Sequence, residues 1–347
     1  MGWWSSALRA KAGSWTFGAL APHQVPDALP QEPVSPDTCY LSGFLRSMWI
    51  TDVRRGVTRF YGTLQSHTTL PHLLGGSAEF QVVVAPPDLR DVERGDAHRF
   101  VTRNIRLFGP VPYRGGDLEI ELGLFSVPAG DLVGPFVDLL ESLSGAAGVA
   151  FVAAARPFVE PVRRGFDLLM GTEGEATLEI GLATTFSRPE TGYFVIMRRA
   201  SAEVDLSTVM VSQDYRLTGA DGKAIDGFPY AVIAIEASTR RDDWFQVPAL
   251  SEAYAALRED VSRGRLENVK ESLAVFKRTA LTSPDLLSQD AVRLVETVGE
   301  EIDRTLRLTQ TSGEGDSIPR LEEVRLYRSK EDPPSRPGAA AADAARS

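Results

Sequence analysis

LEIELGLFS at residues 118–126 returns as LEIGLATTFS at residues 178–187, about sixty residues further along the chain. In both stretches apolar and polar side chains alternate, which is the pattern of a strand with one buried face. The flanking sequences do not match, because PVPYRGG at 110–116 has no counterpart before residue 178, so we exclude a repeated domain. The apolar set is Leu118, Ile120, Leu122 and Leu124 in the first stretch, opposite Asp117, Glu119 and Glu121, and Leu178, Ile180 and Leu182 in the second, opposite Thr177 and Glu179. We predict that 117–126 and 177–186 are two strands of one sheet.

Between these two stretches the hydrophobic period changes from that of a strand to that of a helix. GDLVGPFVDLLESLSG at 130–145 spaces its leucines and Phe136 along one helix face, and an alanine-rich stretch follows. We therefore predict a pair of helices inserted at 131–170.

Strand patterns dominate the remaining sequence up to about residue 247. YAVIAIEA at 230–237 is almost continuously apolar, which predicts a central strand. From residue 248 onward leucines, valines and aromatic residues recur at helical spacing, which predicts three helices. The fold class is therefore α+β, with antiparallel, sandwich-like β-sheets, an inserted helical pair and a C-terminal helical segment.

This pattern divides the chain into four parts. Residues 1–38 are an aromatic N-terminal segment and a proline-rich linker, and residues 39–247 are a β-rich domain that carries the helical insertion 131–170. Residues 248–310 are the C-terminal helices, and residues 311–347 are a short terminal element and a disordered tail.

Composition excludes several classes of protein. The chain has 347 residues and a formal net charge of −10, which argues against a nucleic-acid-binding surface. Its one cysteine, Cys39, cannot form an intrachain disulfide. Arginine greatly outnumbers lysine, as in GC-rich bacterial genomes. No apolar run reaches the length of a membrane span or a signal peptide, so we expect a cytoplasmic protein.

Motifs for the common chemistries are missing from the sequence. It contains no G-x-S-x-G nucleophile elbow, no Walker A loop and no G-x-G-x-x-G loop. The four histidines His23, His67, His72 and His98 lack the spacing of a metal site, and we interpret His67 and His72 as turn histidines at a strand end. We expect no metal, nucleotide or other cofactor.

The carboxylates Asp117, Glu119 and Glu121 follow one face of the first quoted strand. Alternate residues of a strand are nearly 7 Å apart, which is too wide for one calcium ion without other ligands. We interpret this ladder as a solvated strand face.

The densest polar cluster, STRRDDWFQVP at 238–248, follows the predicted central strand. Loops in this position commonly carry function, and arginine, aspartate and an exposed tryptophan together are typical of a partner-binding hot spot. The cluster can equally be a salt-bridged cap for the helix that begins near Pro248, and we favour this structural interpretation because a capping carboxylate is common in that setting. The candidate partner-binding residues here are Arg240, Arg241, Asp242, Asp243 and Trp244.

A second candidate binding segment is the aromatic N-terminus, which contains Trp3, Trp4 and Trp15. The proline-rich linker at 21–38 separates it from the first predicted strand of the domain. We expect a docking peptide for a partner protein or a membrane interface, and the alternative is that these tryptophans cover an apolar patch of the same molecule.

The sequence favours a non-enzymatic interaction or scaffold component of a bacterial multiprotein system, such as a conflict or defence system, with another protein as its partner. One alternative is a membrane-acting effector that uses the N-terminal aromatic segment. Another is a hydrolase of unfamiliar type that uses Asp117, Glu119, Asp242 and Asp243 with His98. The sequence does not decide whether the chain is an enzyme, and the absence of these catalytic motifs argues against enzymatic activity.

Overall fold

A computed structural model describes residues 15–51, 54–55, 58–71, 76–84, 100–128, 177–312 and 318–326. These residues form strands β1 (Thr16–Leu20), β2 (Tyr40–Trp49), β3 (Arg54–Arg55), β4 (Thr58–Pro71), β5 (Ser77–Val84), β6 (Phe100–Pro112), β7 (Leu118–Pro128), β8 (Thr177–Phe186), β9 (Gly192–Met197), β10 (Val209–Val211), β11 (Leu217–Gly219) and β12 (Tyr230–Ser238). Helices α1 (Pro248–Ser262), α2 (Leu266–Leu281) and α3 (Ser288–Ser312) follow.

The strands form two main antiparallel sheets. The first sheet has the order β1-β9-β12-β2-β6, so β12 is its central strand, as predicted. The second sheet has the order β3-β4-β7-β8, and β5 also pairs with β4. Strands β10 and β11 make a separate two-stranded sheet. The α+β class with antiparallel, sandwich-like sheets and C-terminal helices is therefore confirmed.

The two similar stretches are neighbouring strands, as predicted. Strand β7 pairs with β8 in an antiparallel register that places Leu122 opposite Leu182 and Gly123 opposite Gly181. The predicted helical insertion at 131–170 lies outside the described residues.

The alternation predicted for β8 is wrong at its first residues. The register between β7 and β8 shifts between Leu124 and Phe125, which pair with Ile180 and Leu178. This bulge changes the sheet face that the β8 residues before Ile180 occupy. Glu179, which the alternation places on the solvated face, is buried and accepts hydrogen bonds from Ser126 Oγ at 2.6 Å and from Arg198 Nη1 at 2.5 Å. Only the part of β8 from Ile180 onward follows the predicted pattern.

The space between the two sheets holds the main hydrophobic core. The second sheet contributes one face of each of its longer strands, including all four apolar positions predicted for β7. This core contains Leu41, Leu45, Phe108, Phe194, Ile196, Ala231, Ile233 and Ile235 from the first sheet, and Leu64, Leu70, Ala78, Phe80, Val82, Leu118, Ile120, Leu122, Leu124 and Ile180 from the second. Apolar side chains on the other face of the first sheet pack with β10 and β11.

Part of the predicted N-terminal docking segment belongs to the sheet instead. Thr16–Leu20 is strand β1, which pairs with β9 along its whole length, and Leu20 is buried. The ring of Phe17 stacks on Phe194 at a centroid distance of 5.8 Å. The proline-rich stretch after Leu20 therefore connects two strands of one sheet, and a separate docking peptide would have to end before Thr16.

Replacing Leu122 with alanine should destabilise the sandwich strongly. Leu122 has no exposed surface and lies between the sheets, so its truncation removes buried contacts and leaves a cavity. We expect Leu122→Ala to lower the free energy of unfolding by about 2–5 kcal/mol in a urea titration. The control Thr185→Ala, on an exposed position of β8, should change it by less than about 0.5 kcal/mol. Similar losses for the two variants would contradict the assigned faces.

The thiol of Cys39 should be inert in the folded protein. Cys39 is fully buried in the inter-sheet core, and this burial raises the pKa of its thiol from 9.0 to about 11, against a smaller lowering by a hydrogen bond with Thr38. The Cys39 thiol ionises at a lower pH in the unfolded protein than in the folded protein. The stabilisation that depends on the neutral buried thiol therefore falls as the pH rises from 9.0 to about 11. We expect an aromatic disulfide reagent at about pH 8 to label the native protein only as fast as the protein unfolds. Rapid stoichiometric labelling without denaturant would contradict this.

Candidate functional site

The cluster predicted at 240–244 lies where the first sheet passes into the helices. Its central member, Arg241, has a fully buried side chain. The Arg241 guanidinium donates to the Pro110 carbonyl at 2.9 Å, to the Asp285 carbonyl at 3.0 Å and to Asp243 Oδ1 at 2.8 Å. Arg241 therefore joins three segments: the end of β6, the connection between α2 and α3, and its own loop.

Tyr40, at the start of β2, makes a second buried contact between sheet and helices. Its hydroxyl donates to Asp290 Oδ2 at 2.6 Å and accepts from the Leu287 amide at 3.0 Å. Arg114 adds a third contact, since it donates to the Leu286 carbonyl at 2.5 Å and to Asp37 Oδ1 at 2.6 Å. The helices are therefore joined by hydrogen bonds to the first sheet at the start of β2 and near the end of β6.

The cluster at 240–244 divides into buried and accessible residues. Trp244 is buried in the core of the helical segment, so the exposed tryptophan expected from the sequence is wrong. Of the salt-bridged cap considered from the sequence, the salt bridge is present between Arg241 and Asp243, but the capping part is wrong, because the residue that precedes α1 is Val247 and it makes no side-chain cap. Arg240 and Asp243 are half-buried and Asp242 is exposed, and a partner contact through these three stays a prediction.

A groove between α1 and α2 offers an accessible surface on the helical segment. The outer sides of the two helices enclose about 280 Å³. Val275, on α2, keeps 47% of its surface exposed there. The groove is lined by Ala253, Ala256, Asp260, Asn268, Glu271, Ser272 and Val275.

The groove has a small apolar floor and an acidic rim. Ala253 and Ala256 have short side chains, which allow another chain to approach the backbone of α1 closely. Asp260 accepts a hydrogen bond from Ser272 across the groove, and Glu271 is exposed. No lysine or arginine is among the described residues that line it.

A second unusual surface is the outer face of the second sheet, where polar side chains lie in rows across three strands. One row is Gln81, His67 and Glu121, because His67 is directly opposite both of the others. The neighbouring row toward the open end is Glu79, Thr69 and Glu119. On the opposite side, Gln65 and Thr63 continue the same face of β4, since alternate residues share a face.

The structure corrects two predictions on this face. His67 is not a turn histidine: it lies inside β4, is buried, and places Nδ1 3.1 Å from Glu121 Oε2. The carboxylate ladder is solvated only at Asp117 and Glu119, because Glu121 is 8% exposed. The sequence missed this cluster because its members come from three strands, although the alternation of Thr63, Gln65 and His67 on β4 was a readable signal. His72 lies outside the described residues.

Most of the polar atoms in these inner rows have no partner. The atoms without a hydrogen-bond partner are Thr63 Oγ1, Gln65 Nε2 and Oε1, Gln81 Nε2 and Oε1, and His67 Nε2, which lies 3.8 Å from Glu79 Oε2. Gln65 and Thr63 are completely buried and Gln81 is 5% exposed. Native proteins pair most buried polar groups. Further unpaired atoms in the described residues are Ser66 Oγ and Thr68 Oγ1 on the opposite face of β4, and the Nε atoms of Arg46 and Arg106 in the first sheet.

The other predicted functional residues are not brought together. Trp3, Trp4 and His98 lie outside the described residues, and Trp15 is half-buried directly before β1. Asp117 and Glu119 are on the second sheet, whereas Asp242 and Asp243 follow the central strand of the first. The hydrolase hypothesis and the membrane hypothesis stay predictions.

Comparisons with known proteins give no further assignment. No protein-family model, curated protein or solved structure matches the chain. In the part of the chain that the structure describes, no three histidine, cysteine, aspartate or glutamate side chains are arranged to hold a metal ion. None of the described helices combines the length and apolarity needed to cross a membrane.

Replacing Arg241 with methionine should weaken the whole molecule. Methionine retains apolar volume but leaves the Pro110 and Asp285 carbonyls without their donor, and it leaves Asp285 Oδ1, 3.9 Å from the guanidinium, without that charge. We expect Arg241→Met to lower the free energy of unfolding by about 3–5 kcal/mol in a urea titration. The control Arg263→Met removes an arginine that is 52% exposed and pairs with Glu259, and it should cost less than about 1 kcal/mol. Equal effects of the two variants would rule out the joining role of Arg241.

Proposed function

We propose that this protein is a non-enzymatic interaction component of a cytoplasmic bacterial multiprotein system, and that it binds a partner protein through the groove between α1 and α2. The observation that carries the proposal is the exposed Val275 beside the alanines of α1. A setting in a conflict or defence system stays a prediction.

The apolar surface of the groove suits a helix as its occupant. Single exposed apolar side chains are ordinary on a protein surface, but Val275 lies in a concave site next to Ala253 and Ala256. An amphipathic helix can place its apolar side chains in such a groove at helical spacing.

The charge of the groove indicates the chemistry of the partner helix. Asp260 and Glu271 form the rim; Arg265 Nη1 lies 3.9 Å from Asp260 Oδ1, whereas Glu271 is exposed, and the whole chain carries a formal net charge of −10. A partner segment with lysine or arginine beside its apolar stripe would complement this rim and associate faster at low salt. We therefore assign the groove to a basic amphipathic helix.

The groove is also rigidly supported. The inner sides of α1 and α2 pack together through Tyr254 and Phe276, whose rings contact edge to face at a centroid distance of 5.5 Å. Tyr254 Oη also donates to the Pro319 carbonyl at 2.9 Å, which fixes α1 to the segment 318–326. A preformed groove loses little conformational freedom on binding.

Site-directed photocrosslinking in the native bacterium tests this function. A photoreactive phenylalanine analogue at position 275 should crosslink one protein through a segment that has apolar residues at helical spacing and lysine or arginine beside them. Ala256→Arg should reduce the crosslinked product at least about tenfold, because it fills the groove. The matched control Ala255→Arg, one residue away on α1 and outside the groove, should leave the product unchanged.

Four outcomes would contradict the proposed function. These are a crosslink to a second copy of this chain, a crosslink to lipid, a partner segment without basic residues, and equal effects of Ala255→Arg and Ala256→Arg. Circular dichroism of both variants should show unchanged helix content, which separates loss of binding from loss of folding.

A further inference from the structure

Part of the outer face of the first sheet is accessible beside β6, the last strand in the order of that sheet. The apolar cluster under β10 and β11 is built on β9, β12 and the end of β2. Beyond this cluster, Phe44 and Arg106 are directly opposite each other on β2 and β6 and are half-buried, and Asn104 is exposed. We call this area the β6 strip, and its side chains are those of Ser42, Phe44, Asn104, Arg106 and Glu236.

Two arginine side chains contact the ring of Phe44 on this strip. The Cζ atom of Arg46 lies 5.1 Å from the centre of the ring, and that of Arg106 lies 5.9 Å from it. A guanidinium over an aromatic face is attracted by the negative charge of that face, and the attraction limits the movement of the long arginine side chain. The strip therefore presents two ordered positive groups beside one half-buried aromatic ring.

The two arginines differ in how their charge is neutralised. Arg46 is buried and donates to Glu236 Oε1 and to Asn104 Oδ1. In the part of the chain that the structure describes, Arg106 has the contact with Phe44 but neither a hydrogen bond nor an ion pair. With two arginines and one glutamate, the strip has one positive charge in excess, although the whole chain has a formal net charge of −10.

Tyr215, in the turn between β10 and β11, extends the aromatic surface of the strip. Its backbone has a φ of 62°, in the left-handed region that is unfavourable for residues other than glycine. Ser47 Oγ donates to the Tyr215 carbonyl at 2.6 Å, and the ring stacks with Tyr193 at a centroid distance of 6.5 Å. These contacts hold the half-buried ring in one position, 5.6 Å from the guanidinium of Arg46.

From this composition and charge we infer that the β6 strip binds an acidic segment of a partner protein, separately from the helix that the groove binds. Arginine and tyrosine are enriched among the residues that dominate protein interfaces. One carboxylate of the segment pairs with Arg106, which can donate two parallel hydrogen bonds to it, and an apolar side chain next to that carboxylate contacts Phe44 and Tyr215. One excess charge suits a single carboxylate, whereas a nucleic acid needs several cations.

Photocrosslinking from the strip in the native bacterium tests this surface. A photoreactive phenylalanine analogue in place of the exposed Asn104 should crosslink a protein through a segment that contains aspartate or glutamate. Arg106→Glu should reduce the crosslinked product at least about tenfold, because it replaces attraction of the carboxylate with repulsion. The matched control is Arg199→Glu, since Arg199 also lies over a ring, that of Phe228 at 5.3 Å, but is paired with Glu203. It should leave the product unchanged.

Exchange of charges between the two proteins tests the carboxylate itself. Replacing the acidic residue nearest the crosslink with lysine should reduce the product as Arg106→Glu does, and the two changes together should restore it to within about twofold. If Arg106→Glu does not fold, as judged by circular dichroism, Arg106→Gln removes the charge without repulsion and should still reduce the product at least about threefold. A crosslink to nucleic acid or to a second copy of this chain, a segment without carboxylates, equal effects of the Arg106 and Arg199 variants, or failure of the charge exchange would each overturn the inference.

Discussion

The arrangement of the whole molecule depends on one buried guanidinium. Arg241 bonds to the end of β6, to the connection between α2 and α3, and to Asp243 in its own loop, all without access to water. A buried arginine without these partners would be strongly unfavourable, so the sandwich and the helices hold one relative position. The groove between α1 and α2 is therefore part of a helical segment that is bonded directly to the first sheet.

The two sheets use their outer faces differently. The first sheet covers its outer face with apolar side chains and the small sheet of β10 and β11, which stabilises the fold. The second sheet places amides, a histidine and carboxylates on its outer face, and several of these atoms are buried without partners. Between the two sheets, apolar burial that stabilises the fold is found in the inter-sheet core and on the outer face of the first sheet. The outer face of the second sheet instead buries polar atoms without hydrogen-bond partners, which lowers the free energy of unfolding.

The fold class could be predicted from the sequence because its signal is local. Alternation in β7, the apolar run of β12 and the helical spacing after Pro248 each lie within one continuous stretch. The candidate sites could not be predicted, because they depend on contacts between distant residues. Arg241 and Trp244 have the composition of an exposed hot spot, and only the packing of the helices buries them. His67 and Glu121 are 54 residues apart in sequence, and only the pairing of β4 with β7 makes them neighbours. The alternation of residues before Phe125 likewise gives no indication of the bulge at that position.

The strand order of the first sheet has a consequence for how the protein folds during synthesis. Its central strand, β12, pairs with β2 on one side and β9 on the other, yet it is the last strand of the domain along the chain. A ribosome must therefore release about 240 residues before the centre of this sheet can form, at about 5–20 residues per second. Strand β2 ends about 190 residues before β12 ends and β9 about 40 residues before it. The edge of β2 is therefore available for wrong pairing or for a chaperone for roughly ten seconds or more, and the edge of β9 for a few seconds. Completion of the first sheet is thus a late event in the synthesis of each new chain.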